Sequence, residues 1–224
     1  MLALVSPLHW LGERLFVAHM MEHEVLMIVG APLIAMSRPI ATILWALPSG
    51  ARKRIGVWSK NHMIARGWSA LTDPFVATAL HGFALWSWHM PILYDLVLRS
   101  VAAHRLQHIC FFVTALLFWY AMFSRRGGHS RYGIALACLF LTSLHSAILG
   151  ILITLSRQPW SVGQSELAVF CGLTPLEDQQ LAGLIMWVPP NLVYLGAALY
   201  FAARWIASAD TSHRERSPYA VVSG

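Results

Sequence analysis

Two stretches of the chain carry histidines four residues apart, His19-Met20-Met21-Glu22-His23 and His104-Arg105-Leu106-Gln107-His108. On an α-helix of about 3.6 residues per turn, positions four apart share a face. Each pair can therefore aim two imidazoles at one point, and Glu22 falls on the same face as its neighbours. Neutral imidazole is the commonest metal ligand in proteins and suits copper, zinc and iron. His89 and His145 lie in two further apolar stretches. His19, His23, His89, His104, His108 and His145 are thus candidate ligands of a metal ion. The competing reading is a set of polar side chains that hydrogen-bond helices to one another.

These residues sit in a chain whose composition fixes its class. Of 224 residues, 57% are hydrophobic and only 12% charged, against roughly 25% charged in an average soluble domain. That is the composition of an integral membrane protein, and the 10 tryptophans suit interfacial belts at the two membrane surfaces. The three cysteines form no CxxC pair, so neither a disulfide framework nor a thiolate metal site is indicated. The net charge of +6 comes from basic residues in loops between apolar runs. This reads as a topology signal rather than as affinity for nucleic acid.

Taken in order, residues 1–14 form a short tail that lacks the basic start and small-residue cleavage site of a signal peptide. Apolar spans follow at 15–36, 74–98, 106–123, 132–155 and 176–206, the first of them near the roughly 20 residues that a bilayer core requires. Residues 40–47, bracketed by Pro39 and Pro48, are too short to cross and suit an interfacial or re-entrant segment. The loop 49–73 mixes Arg52, Lys53, Arg54, Lys60 and Arg66 with Trp58 and Trp68, as suits a surface-lying helix on an anionic leaflet. Pro189-Pro190 in the last span removes backbone donors and predicts a kink or break there.

The expected fold is an all-α membrane bundle of about five transmembrane helices around one domain, 15–206, with a tail at 207–224. With five spans, 12 lysines and arginines fall on one side and four on the other. The positive-inside rule then places the N-terminus outside and the C-terminus and the 49–73 loop in the cytoplasm. This topology gathers the six candidate histidines in the outer half of the bundle, whereas the loop histidines His62 and His129 fall on the inner side.

Several other groups could join them. His81 is eight residues from His89, roughly 12 Å along a helix axis, too far to share an ion; it is either a ligand of a second site or a structural hydrogen-bonder. Met20, Met27 and Met90 offer thioethers suited to Cu(I), or simple packing. Thr174, Pro175 and Glu177 match a capping box with proline at the first helical position. Asp178 is left over from that box and could ligate a metal or orient a ligating histidine. A b-type haem held between facing helices and a zinc hydrolase using Glu22 as base are alternatives. No HExxH occurs, and the cluster holds more histidines than one haem needs.

The two HxxxH stretches, Trp86-Ser87-Trp88-His89-Met90-Pro91, Leu144-His145-Ser146-Ala147-Ile148-Leu149-Gly150 and above all Pro175-Leu176-Glu177-Asp178-Gln179-Gln180-Leu181-Ala182-Gly183-Leu184-Ile185-Met186-Trp187 resemble the CtaG family. These are multi-span bacterial membrane proteins associated with assembly of haem-copper cytochrome c oxidases. The resemblance covers about Leu15 to Ile206, and departs from the family pattern at Pro190-Asn191, where glycine is common. It implies a non-enzymatic assembly factor of the bacterial inner membrane that handles copper, as Cu(I), through the six histidines. Its implied partners are the oxidase catalytic subunit or its copper chaperones.

Overall fold

The computed structural model describes residues 11–12, 15–37, 46–59, 61–124, 130–160 and 168–216. Among these residues the fold is all-helical. The expected 15–36 span is a composite: α1 (Phe16–Glu24), a π-helical turn (Val25–Gly30) and α2 (Ala31–Ser37). Pro32 accounts for the wide turn. A proline ring clashes with the carbonyl four residues back, here that of Ile28, and widening the preceding turn relieves the clash. Trp119 takes up a carbonyl of this turn, its indole N–H donating to Met27 O at 3.0 Å.

Two short helices follow, α3 (Ser49–Ser59) and α4 (His62–Leu71), with Asn61 capping α4 by accepting from Met63 N at 2.9 Å. No residue of α4 is buried, as expected of a helix lying on a surface. The segment 40–47 falls outside the described residues except for its last two positions.

The expected 74–98 span is two helices. α5 (Pro74–Trp88) starts at an Asp73 cap that accepts from Phe75 N and Val76 N, and ends at His89; α6 (Pro91–Arg99) starts afresh. Pro91 forces the break. It has no N–H to continue the ladder and serves instead as the first residue of the new helix. Then come α7 (Val101–Phe123), α8 (Ser130–Thr154) and α9 (Pro175–Arg216). Phe16–Ser37, Val101–Phe123, Ser130–Thr154 and Pro175–Ser208 are long and apolar enough to cross a membrane. α5, at 15 residues, spans about 22 Å and is shorter than a bilayer core.

α9 is helical through Pro189-Pro190, so the proline pair does not break it, and the helix runs on to Arg216, past the span expected at 176–206. The proline pair is braced by its neighbour: Asn191 Nδ2 donates to Trp187 O at 2.6 Å, and the Asn191 carbonyl oxygen accepts from the Ser143 hydroxyl of α8. α8 and α9 form the most extensive helix pair, α9 also packs on α1, and α5 packs on both α7 and α8. Gly150 and Gly183 face each other where α8 crosses α9. A Cβ at Gly183 would stand 2.8 Å from Gly150 O, and one at Gly150 would stand 2.7 Å from the Trp187 Cβ. Only glycine permits so close a crossing.

The distribution of polarity is that of a protein in lipid. Phe83, Ile109, Phe140 and Leu192 are 58–73% exposed on the outer faces of α5, α7, α8 and α9, whereas the buried side chains include five histidines, Glu22, Glu24, Gln107 and Asp178. In water, apolar surface on this scale marks an interaction site. Wrapped around a polar interior, it marks helices whose solvent is hydrocarbon. Along the bundle the interior divides in two. One half holds the histidines; the other holds aromatic rings, with Trp119 stacked on Tyr194 at 5.9 Å and Phe123 beside Phe201 at 5.9 Å.

Candidate metal centre

α1 packs chiefly on α9, whereas the π turn and α2 pack on α7. The space this leaves between α1 and α7 is filled by imidazoles. His19 and His23 place their Nε2 atoms 2.8 Å apart, and His104 and His108 do the same on α7. The four rings form one cluster, with centroids 4.5 Å apart for His23 and His108 and 5.0 Å apart for His19 and His104. Helical spacing builds each pair, and the packing of two helices brings the pairs together. His19 and His23 are 1% exposed and Glu22 is fully buried, with its Oε2 4.0 Å from His108 Nε2.

The two pairs differ from a finished metal cage. Among the described residues no three His, Cys, Asp or Glu side chains stand ready around one ion position. The donors are of a kind that suits copper or zinc, but two nitrogens 2.8 Å apart stand closer than the roughly 3.3 Å between tetrahedral ligands with bonds of about 2.0–2.1 Å, so the rings would part to admit an ion. Without an ion, one hydrogen bond joins His19 to His23 and leaves Nδ1 of His23 buried with no protein partner. A buried polar atom without a partner costs about 1–3 kcal/mol, so the arrangement is expensive as packing alone.

His89 approaches from the end of α5. Its Nδ1 lies 2.6 Å from Leu85 O, and a carbonyl only accepts, so Nδ1 carries the proton. Nε2 is then a lone pair, buried and without a protein partner. A backbone carbonyl fixing the tautomer of one nitrogen while the other faces a site is how ligating histidines are commonly held. His89 stacks on Phe111 at 5.8 Å, and His23 meets the same ring edge-on at 4.9 Å, so one phenyl separates His89 from the quartet.

Asp178 is fully buried, and its role is more specific than the sequence suggests. Its two carboxylate oxygens accept from Phe16 N at 2.8 Å and Val17 N at 3.1 Å. The first turn of α1 has no cap of its own, since Leu15 makes no side-chain cap bond. α9 supplies the missing cap and so fixes the helix that carries His19 and His23. The capping box at the start of α9 forms as its spacing predicts, with Glu177 Oε2 accepting from Thr174 N at 2.7 Å and Glu177 N donating to Thr174 Oγ1 at 3.2 Å.

His81 and His145 stand apart from the quartet. His81 Nδ1 lies 3.2 Å from Thr114 Oγ1, and the His145 ring rests against Gly82. Of the methionines, Met20 and Met27 belong to the hydrophobic core and Met90 is 54% exposed. Two buried polar residues went unnoticed in the sequence, Gln107 inside the second HxxxH and Glu24 beside His23, as did the half-buried Thr114. A carboxylate within an apolar run was the available signal for Glu24, the same signal that singled out Glu22.

Helices that turn lipid-like side chains outward and enclose histidines and carboxylates define a polytopic membrane protein with a buried polar centre. The cytochrome c oxidase caa3 assembly factor family model, Caa3_CtaG, matches residues 1–208, and the chain belongs to that family. No curated protein and no solved structure matches it.

Proposed function

We propose that the chain assists oxidase assembly by holding copper, as Cu(I), in the histidine quartet His19, His23, His104 and His108, and passing it to the oxidase catalytic subunit or to a copper chaperone. The observation that carries this reading is the meeting of two HxxxH pairs from different helices, with His19, His23 and His108 buried beside Glu22 and His104 half-buried. Imidazole suits copper, and His89 offers a further lone pair nearby. A monovalent ion adds little charge to a low-dielectric interior, where charge is costly, and the Glu22 carboxylate offsets it. The quartet faces the outer side in the orientation that the basic loops favour, with α5 and α6 together making the fifth crossing. No bond of a substrate is made or broken, and ligand exchange completes the transfer.

Detergent-purified protein titrated anaerobically with Cu(I) against a chromogenic chelator tests this. The parent should bind copper tightly without a Soret band, and His23→Ala with His108→Ala should remove the equivalent held by the quartet. Unchanged stoichiometry in the double variant would overturn the assignment. A Soret band, or zinc in its place, would redirect it to haem or hydrolytic chemistry.

A further inference from the structure

The second group of histidines is organised differently. Thr114 Oγ1 lies 2.8 Å from Cys110 O and commits its proton there. It can then only accept from His81, so His81 Nδ1 carries the hydrogen and Nε2 is left as a lone pair. Phe118 stacks on the His81 ring at 5.7 Å and holds its plane. Across the gap, His145 of α8 has both ring nitrogens buried with no protein partner. Its Nε2 edge lies against the residue next to His81: a Cβ added to Gly82 would stand 3.2 Å from His145 Nε2 and 3.4 Å from Cε1.

We propose that His81 and His145 form a second, two-coordinate Cu(I) station farther along the bundle interior than the quartet. His81 lies eight residues from His89, so about 12 Å separates the two levels, and no single ion can serve both. A histidine kept for structure uses its nitrogens, as His81 uses Nδ1, whereas His145 uses neither. Two neutral donors with no carboxylate among the ligands suit a monovalent ion that accepts two-fold coordination. Zn²⁺ wants four ligands, and no third His, Cys, Asp or Glu among the described residues completes such a set. Glycine at 82 lets the His145 ring come up to the α5 backbone beside His81. The inference rests on copper being the cargo of this protein, but not on the quartet being its first site.

The test is anaerobic Cu(I) titration of the full chain in detergent, comparing the parent with His81→Ala, His145→Ala, Gly82→Ala and the His23→Ala/His108→Ala double variant. The parent should take up a second equivalent beyond the quartet. His81→Ala and His145→Ala should each lose that equivalent and keep the other, and the retained equivalent reports an intact fold. The double variant should keep the second equivalent, with an X-ray absorption signature of two nitrogen ligands. Gly82→Ala, which displaces the His145 edge by a few tenths of an ångström, should weaken only the second equivalent. If His81→Ala and His145→Ala both retain full stoichiometry, or if the parent binds no Cu(I), the proposal is overturned. Copper that survives in the double variant but disappears in His145→Ala would sustain it while removing the quartet from the reading above.

Discussion

Replacing Asp178 by alanine isolates the contact between the last helix and the first. The substitution removes the acceptor of two backbone N–H groups, those of Phe16 and Val17, at 2.8 and 3.1 Å. Phe16 is 7% exposed and Asp178 is fully buried, so water is poorly placed to replace the carboxylate. A lost helix cap costs about 0.5–2 kcal/mol, and each buried donor left unsatisfied about 1–3 kcal/mol. Local opening of the first turn of α1 should therefore become easier by roughly 2–4 kcal/mol. At about 1.4 kcal/mol per factor of ten, amide exchange there should accelerate on the order of 30- to 1,000-fold. Hydrogen–deuterium exchange with mass spectrometry on the detergent-solubilised protein reads this directly. Asp178→Asn, which keeps an acceptor oxygen but loses the charge, should fall between alanine and the parent. Exchange over residues 16–20 of Asp178→Ala indistinguishable from the parent would refute the cap, and with it the view that α9 holds α1 in place.

Other perturbations separate neighbouring roles. Gly183→Ala sets a Cβ 2.8 Å from Gly150 O and should destabilise the α8–α9 pair by about 1–3 kcal/mol, as overpacking does; an undiminished thermal transition in detergent would contradict it. Trp119→Phe deletes the indole bond to Met27 O, which should cost about 1 kcal/mol and speed amide exchange through residues 25–30 without changing copper stoichiometry. Glu22→Gln should weaken copper binding, whereas Glu24→Gln, whose Oε2 has no protein partner, should leave binding intact and raise thermal stability; equal effects of the two on affinity would deny Glu22 its special place.

The helices and the two HxxxH pairs were legible because helical periodicity is a local property. His19 and His23 need only their own helix to point together. Where the chain must fold back on itself, the sequence was silent. Nothing in Thr174-Pro175-Leu176-Glu177-Asp178 announces that Asp178 caps a helix 162 residues away. The π turn has a local cause, Pro32, but the tryptophan that stabilises it comes from α7. His145 was expected with the outer histidines from its depth and from the family resemblance, neither of which says which way a side chain faces; packing of α8 against α5 sets its ring against Gly82. The proline pair does not break α9, where Asn191 bonds to Trp187 O and to the Ser143 hydroxyl of the neighbouring helix.

The bond from Asp178 to the first turn of α1 also has a consequence for biosynthesis. The ribosome delivers α1 first and α9 last, with the whole remaining bundle between them. Until α9 enters the membrane, the start of α1 has no carboxylate to hold it, and His19 and His23 hang from a frayed end. A chain stalled or truncated before Asp178 would carry both HxxxH pairs yet lack the contact that fixes the first of them. On the reading proposed above, metal capture would wait for α9, so that chains still lacking it would not compete for the same ion.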